Sequence, residues 1–217
     1  MVYKVFVLLW KDLLIESRRP LEFVSAIVFA ISAASFSGYV ASRYAIDDYT
    51  LQAIIGSSLI LIQLFLAVFT AIMGFVREAD RGTLYGLKAL PIGSETMFFS
   101  KLLFTLILLE TFSFIALTSS TFFSGAGLNI FLSMFFIIAV SAIYFSAVAA
   151  FSSALAVYIE ARSLLIPTIV LALSAPYAQN VISNMMMYTS LGSIALLTLS
   201  GVLLAILATW LSQFVFE

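Results

Sequence analysis

The chain has no cysteine and no histidine in 217 residues. The first absence excludes disulfides, thiolate metal sites and thiol nucleophiles; the second excludes imidazole ligation of zinc or heme iron and histidine acid–base catalysis. Charge is scarce as well, with ten basic and eleven acidic residues making up 10% of the chain. No glycine-rich loop ends in Lys-Ser or Lys-Thr, so the sequence offers no phosphate cradle for a nucleotide. It shows no paired catalytic carboxylates, no metal cluster and no nucleophile triad, and no basic tract suited to nucleic acid. Catalytic and metal residues are therefore expected to be none.

What is present is apolar: 63% hydrophobic residues and a mean hydropathy of +1.17. A soluble domain of this size needs a polar surface that such a composition cannot supply, so the chain reads as an all-α integral membrane protein, a single transmembrane domain over 1–217. A span needs roughly 20 apolar residues. On that rule the spans fall near 21–41, 51–76, 96–120, 128–157, 164–180 and 191–212. Pro20 stands where the first turn of a helix tolerates proline. In the fifth segment Pro167 comes early, and Pro176 follows Leu164 too soon for a full span. The stretch to Tyr188 has two readings, a broken or re-entrant outer helix or a kinked span with an interfacial loop.

Lysines and arginines set the orientation. Lys4, Lys11, Arg18, Arg19, Arg77, Arg81, Lys88, Lys101 and Arg162 fall on one side of six spans and only Arg43 on the other. The positive-inside rule then places both termini in the cytoplasm. Tyr39, Tyr44, Tyr49, Tyr177 and Tyr188 lie at outer ends, and Trp10, Tyr158 and Trp210 at inner ends. Residues 1–19 are not a span. Lys4, Lys11 and Arg18 recur every seven residues beside Phe6, Leu9, Trp10, Leu13 and Leu14, the pattern of an interfacial amphipathic helix. The first apolar stretch is too long for a signal h-region and has no clear cleavage site, so no signal peptide is expected.

Between spans two and three lies the densest polar segment, 74–101. Leu84, Leu87 and Leu90 recur at three-residue spacing and share one face of a short helix. Asp80 is its candidate N-cap and Pro91 its stop. Arg77, Glu78, Asp80, Arg81 and Thr83 flank that face. A short cytoplasmic helix with an apolar face has the shape of a coupling element for a soluble partner.

Within the spans Glu110 is the one deeply placed acid, ~20 Å along the helix from Met97. It is expected to face protein, water or a partner chain, either as a functional polar contact or as a helix-packing hydrogen bond. Gln63 has the same two readings. Two small-residue stripes permit close helix packing: Ala26, Ala30, Ala34 and Gly38 in the first span, and Ala142, Ser146, Ala150 and Ala154 in the fourth. Met185, Met186 and Met187 read as flexible apolar packing before soft metal ligation. Asp47 and Asp48 read as a solvated outer pair. No internal repeat is visible, which disfavours an inverted-repeat transporter.

Four stretches carry a resemblance. Lys11-Asp12-Leu-Leu-Ile-Glu16-Ser-Arg18 with Glu22 is a charged opening. Arg77-Glu78-Ala-Asp80-Arg81-Gly82-Thr83-Leu84 continues through Leu87, Leu90-Pro91 and Lys101. The run 145–154 is Phe-Ser-Ala-Val-Ala-Ala-Phe-Ser-Ser-Ala, and Arg162-Ser-Leu-Leu-Ile-Pro167 enters the fifth span. In this order and spacing they resemble exporter-type ABC permeases, and more narrowly the heme exporter protein B (CcmB) family of cytochrome c maturation. The outer half of span five departs from that family, which is usually richer there in Pro and Leu. The resemblance implies a non-catalytic permease subunit in a prokaryotic inner membrane. It implies a cytoplasmic ATPase partner of the CcmA type, and a membrane heme-handling subunit of the CcmC type or a second permease copy. ATP then acts through the partner and heme is handled by the complex, with no cofactor bound by this chain. Residues 77–91 would dock the ATPase. A general ABC-2 exporter of a lipid or drug-like molecule and a non-transporting membrane scaffold are the competing readings; a membrane-embedded enzyme would need a polar cluster that the sequence does not show.

Overall fold

The computed structural model describes residues 2–18, 20–89, 92–159, 162–186 and 191–216, and among these every regular element is helical. In chain order they are α1 (Val2–Ser17), α2 (Pro20–Tyr44), α3 (Asp48–Ala71), α4 (Arg77–Asp80), α5 (Leu84–Lys88), α6 (Ser94–Ser124), α7 (Leu128–Ala156), α8 (Arg162–Met186) and α9 (Leu191–Phe216). A π-helical turn, Ile72–Val76, joins α3 to α4. Six of these stretches are long and apolar enough to cross a membrane: α2, α3 with its extension to Asp80, α6, α7, α8 and α9.

The expected spans correspond to these helices, with one correction. The fifth, expected over 164–180 with a broken or kinked outer half, is a longer and continuous helix. α8 runs unbroken from Arg162 to Met186 with both Pro167 and Pro176 inside it. A proline removes one backbone hydrogen bond, but in a bundle the neighbouring helices hold the flanking turns together. Tyr188 and Met187 lie outside the described residues. At the start of α3, Asp47 is more than a loop charge. Its Oδ1 accepts from Thr50 N at 2.9 Å and from Thr50 Oγ1 at 2.6 Å, while Thr50 Oγ1 accepts from Asp47 N at 3.2 Å. This reciprocal cap holds the Asp47 carboxyl below the usual carboxylate range. At the far end of α6, Gly125 supplies the left-handed residue (φ 70°) that ends the helix.

α6 and α7 are the centre of the bundle: α6 touches α1, α2, α3, α7 and α9, and α7 touches α3, α6, α8 and α9. The small-residue stripes do their packing inside the chain. Ala26, Ala30 and Ala34 are fully buried, and α2 comes so close to α6 that a Cβ on Gly38 would sit 2.3 Å from the Ser120 carbonyl oxygen. Ser35 and Ser119 share a hydrogen bond of 2.8 Å across the same contact. Ala142, Ser146, Ala150 and Ala154 are likewise buried along α7. Gln63 joins α3 to α7: its Nε2 donates to Ile138 O at 3.0 Å and its Oε1 accepts from Ser141 Oγ at 2.6 Å. Both ends of the amide are satisfied, which is the helix-packing reading of that residue. Met185 is buried in the core facing Gly56, whose missing side chain leaves room for the Met185 sulfur.

One irregularity redirects the chain. Gly74 leaves the helical region at φ −76°, ψ −123°. The amides freed at this kink are taken up by α7: Phe75 N and Val76 N donate to Ser153 Oγ at 2.8 and 3.4 Å. A side chain at Gly74 would itself meet Ser153 Oγ at 2.8 Å.

The Gly38 contact is backbone against backbone and cannot yield by a rotamer change. Gly38→Ala should therefore destabilise the purified chain by about 2 kcal/mol, the cost of overpacking. The check is a lowered unfolding midpoint in detergent; an unchanged midpoint would show that α2 and α6 do not meet there.

Candidate functional site

The most concentrated polar chemistry lies at the end of the bundle that carries α1, α4 and α5. α1 presents two faces. Val5, Leu8, Leu9, Asp12 and Glu16 turn inward and are buried, while Tyr3, Phe6, Val7 and Trp10 are exposed. Asp12 and Glu16 are four residues apart and so share the inward face. α6 brings Lys101 from its second turn, and the kink at Gly74 delivers Arg77 and Glu78 on α4.

These side chains meet in two adjoining ion clusters, one buried around Lys101 and one around Arg77 that reaches the surface at Glu22. Lys101 Nζ, whose residue is only 3% exposed, lies 2.9 Å from Asp12 Oδ2 and 3.1 Å from Glu78 Oε1. The contact with Asp12 Oδ2 is an ion pair without hydrogen-bond alignment, since that oxygen accepts no hydrogen bond among the described residues. Lys11 Nζ pairs with Asp12 Oδ1 at 3.1 Å and with Glu78 Oε1 at 2.8 Å. Thr83 Oγ1 donates to Glu78 Oε2 at 2.7 Å. Arg77 grips Glu16 with one guanidinium nitrogen and Glu22 with the other. Burial alone would draw the Lys11 ammonium below its ordinary value, but the carboxylates of Asp12 and Glu78 outweigh it and hold it above. The network borders a cavity of about 300 Å³ that Arg81 and Gly86 also line.

The loop helix packs differently from expectation. Leu84 and Leu87 are buried against Leu8, Phe75, Met97 and Phe98 of their own chain, so the apolar face is not free for a partner. A stripe on a short helix buries itself on the nearest apolar surface, and here the bundle supplies one. Asp80 ends α4 and does not cap α5. Gly82 (φ 69°) separates the two helices, and Thr83 takes the N-cap position without a side-chain cap bond. Leu90 and Pro91 lie outside the described residues. The outward side of the segment is formed instead by Arg81, Gly82, Gly86 and Tyr85, the last 81% exposed.

Of the residues picked out by sequence, the structure thus places Glu78 and Thr83 in the cluster around Lys101 and Arg77 in the cluster beside it, and turns Arg81 outward at the rim. Lys11, Asp12, Glu16, Glu22 and Lys101 complete the two clusters and were not among the expected site residues. The available signal is that six of the chain's eleven acids, Asp12, Glu16, Glu22, Glu78, Asp80 and Glu95, fall in or beside the two polar segments 1–19 and 74–101. Glu110 is elsewhere. It is half-buried on α6 and makes no hydrogen bond or ion pair among the described residues, and Ser113 Oγ, one turn on, is buried without a partner among them. The expected packing hydrogen bond is therefore absent from the described part of the chain. No group of three or more metal-ligating side chains occurs among the described residues.

Compared with known proteins, residues 3–175 match the model of the ABC-2 type transporter family. No curated protein matches the chain.

Removing one member of a buried ion cluster leaves the rest short of counter-charge: without Lys101, Asp12 and Glu78 share Lys11 alone. Lys101→Met should cost about 3–5 kcal/mol, and should open Arg81 to trypsin. Adding Asp12→Asn and Glu78→Gln should recover much of the loss. Unchanged unfolding and unchanged cleavage at Arg81 in Lys101→Met would show that the network does not hold the loop.

Proposed function

Since the chain belongs to the ABC-2 type transporter family, we propose that it is the permease subunit of an ABC complex in cytochrome c biogenesis. Its α4–α5 segment receives a separate cytoplasmic ATPase. The observation that carries the coupling role is the buried network, which fastens this segment to α1 and α6. A displacement delivered to a segment held this way moves the helices it is tied to, whereas a floppy loop would absorb it. The surface for the ATPase is the outward side, with Tyr85 as an aromatic anchor and Arg81 as an orienting charge. The buried leucines act as the footing of that surface.

The cytochrome c assignment is supported by the order of the four stretches that resemble the heme exporter protein B family, two of which, around Lys11–Glu22 and Arg77–Lys101, supply the network. In this reading ATP hydrolysis by a CcmA-type partner drives heme export or the release of a heme-loaded chaperone, with a CcmC-type membrane subunit or a second copy of this chain alongside. The chain itself performs no catalysis and contributes no nitrogen ligand to heme. The nine-to-one split of lysine and arginine supports cytoplasmic termini in a prokaryotic inner membrane. α1 then lies in the inner interface with Tyr3, Phe6 and Trp10 toward lipid.

Two measurements test this reading. The double variant Arg81→Glu/Tyr85→Asp should keep the wild-type unfolding midpoint yet lose ATPase pull-down and permease-stimulated hydrolysis by about tenfold or more, the loss expected when an anchor and an orienting charge go together. Full recruitment and full coupling in that variant would exclude the outward side as the docking surface. Independently, a single cysteine placed at Asp48 should react with an impermeant thiol reagent only from the periplasmic side; labelling from the cytoplasm alone would invert the topology.

A further inference from the structure

From the middle of the bundle toward the end away from α4 and α5, α7, α8 and α9 line a cavity of about 460 Å³. Its walls combine Pro176, Leu196 and Leu197 with Tyr144, Tyr177, Asn180, Asn184 and Ser200, and none of its lining residues is charged. Tyr144 and Tyr177 stack face to face, with ring centroids 3.9 Å apart and planes 2° from parallel. The two hydroxyls differ. Tyr144 donates to Leu173 O at 3.0 Å, whereas the Tyr177 hydroxyl is buried, on a residue only 5% exposed, with no hydrogen-bond partner among the described residues. A buried hydroxyl left unpaired is costly. Asn180 and Leu196 are exposed at the rim, on the two helices α8 and α9 that are among the least buried spans. The cavity therefore opens sideways between helices, toward the hydrocarbon that surrounds the bundle.

We propose that this cavity is a binding site for a membrane-dissolved amphiphile whose polar head is uncharged and carries a hydroxyl, of the kind a diacylglycerol presents. Depth and charge select this class. From Asn184 to Tyr177 the helix descends ~10 Å along α8, below the level of a headgroup layer that begins at the helix end. A phosphate or carboxylate drawn to the depth of Tyr177 would be desolvated with no cation in the lining to pair with it. An uncharged head exchanges its hydrogen bonds with water for bonds to Tyr177 and to the Asn180 and Asn184 amides, while its chains lie along Leu196. The site goes beyond the coupling role proposed above and does not depend on an ATPase.

The test uses the full chain in phosphatidylcholine nanodiscs with a diazirine-bearing diacylglycerol as probe. Cross-linking should be saturable, map to residues 176–200, and be competed by unlabelled diacylglycerol but not by phosphatidylglycerol. Tyr177→Phe, which removes one oxygen and keeps the ring stack, should weaken half-saturation about fivefold, the effect of one buried hydrogen bond. Leu197→Trp, which fills the cavity, should abolish labelling there. Should Leu197→Trp fail to fold, Tyr177→Phe with the competition series decides alone. Non-saturable labelling, equal competition by phosphatidylglycerol, or half-saturation unchanged in Tyr177→Phe would each overturn the proposal.

Discussion

The ammonium of Lys101 is the constraint on which the loop end of this structure depends. A lysine buried on a membrane-spanning helix is stable only with carboxylates beside it, and none is available on α6 nearby. Asp12 must come from α1 and Glu78 from α4, so three segments distant in sequence are drawn to one point. Arg77 repeats the arrangement with Glu16 and Glu22, tying α4 to α1 and α2. Such networks add little net stability over apolar packing, but they are expensive to break one member at a time. Their effect here is geometric: α4 has one place to sit, and leaving it exposes several charges together.

Elsewhere the bundle is held by different means, because lipid tails compete with any purely apolar contact. α2 and α6 meet through alanines and Gly38 at near-backbone distance. α3 and α7 are joined by the fully used amide of Gln63. The kink at Gly74 shows the two strategies combined. The glycine permits the break, and Ser153 on α7 satisfies the amides it frees, so an irregular turn survives in the interior only because a neighbour accepts its hydrogen-bond donors.

Most of the architecture was legible because it follows from length: an apolar run of about 20 residues or more has few alternatives to a span. Pro176 argues for a break only in an isolated helix; in the bundle, packing decides the outcome and α8 continues through it. The leucines at 84 and 87 were assigned the right face and the wrong partner, since a periodic stripe reports that a face is apolar and says nothing about which surface covers it. On α1 the seven-residue spacing of Lys4, Lys11 and Arg18 marks the cations, whereas nothing in the local pattern marks the acids at 12 and 16 as buried. Asp12 is buried against Lys101, almost ninety residues away, and Glu16 against Arg77, and no local pattern carries that information. The Tyr144–Tyr177 stack is equally non-local: the sequence marks Tyr177 only as an outer-end aromatic, whereas it is buried nine residues before the end of α8, against Tyr144 of another helix.

The two ends of the molecule are physically continuous. Glu78 lies two residues beyond Val76, whose amide, with that of Phe75, is held by Ser153 on α7. From Ser153 the same helix reaches Tyr144 after nine residues, ~14 Å. A rigid helix therefore has the charged network against its kinked neighbour at one level and the uncharged cavity at another. Beyond the π-helical turn Ile72–Val76 the route runs through α-helix, and the turn is joined to α7 by buried hydrogen bonds. Contiguity of this kind is not coupling, which requires two discrete arrangements biased from both sites. It does restrict where such arrangements can differ. Among the described residues of this route Gly74 has non-helical backbone, so the turn between α3 and α4 is where a change of shape that leaves α7 intact is taken up most readily.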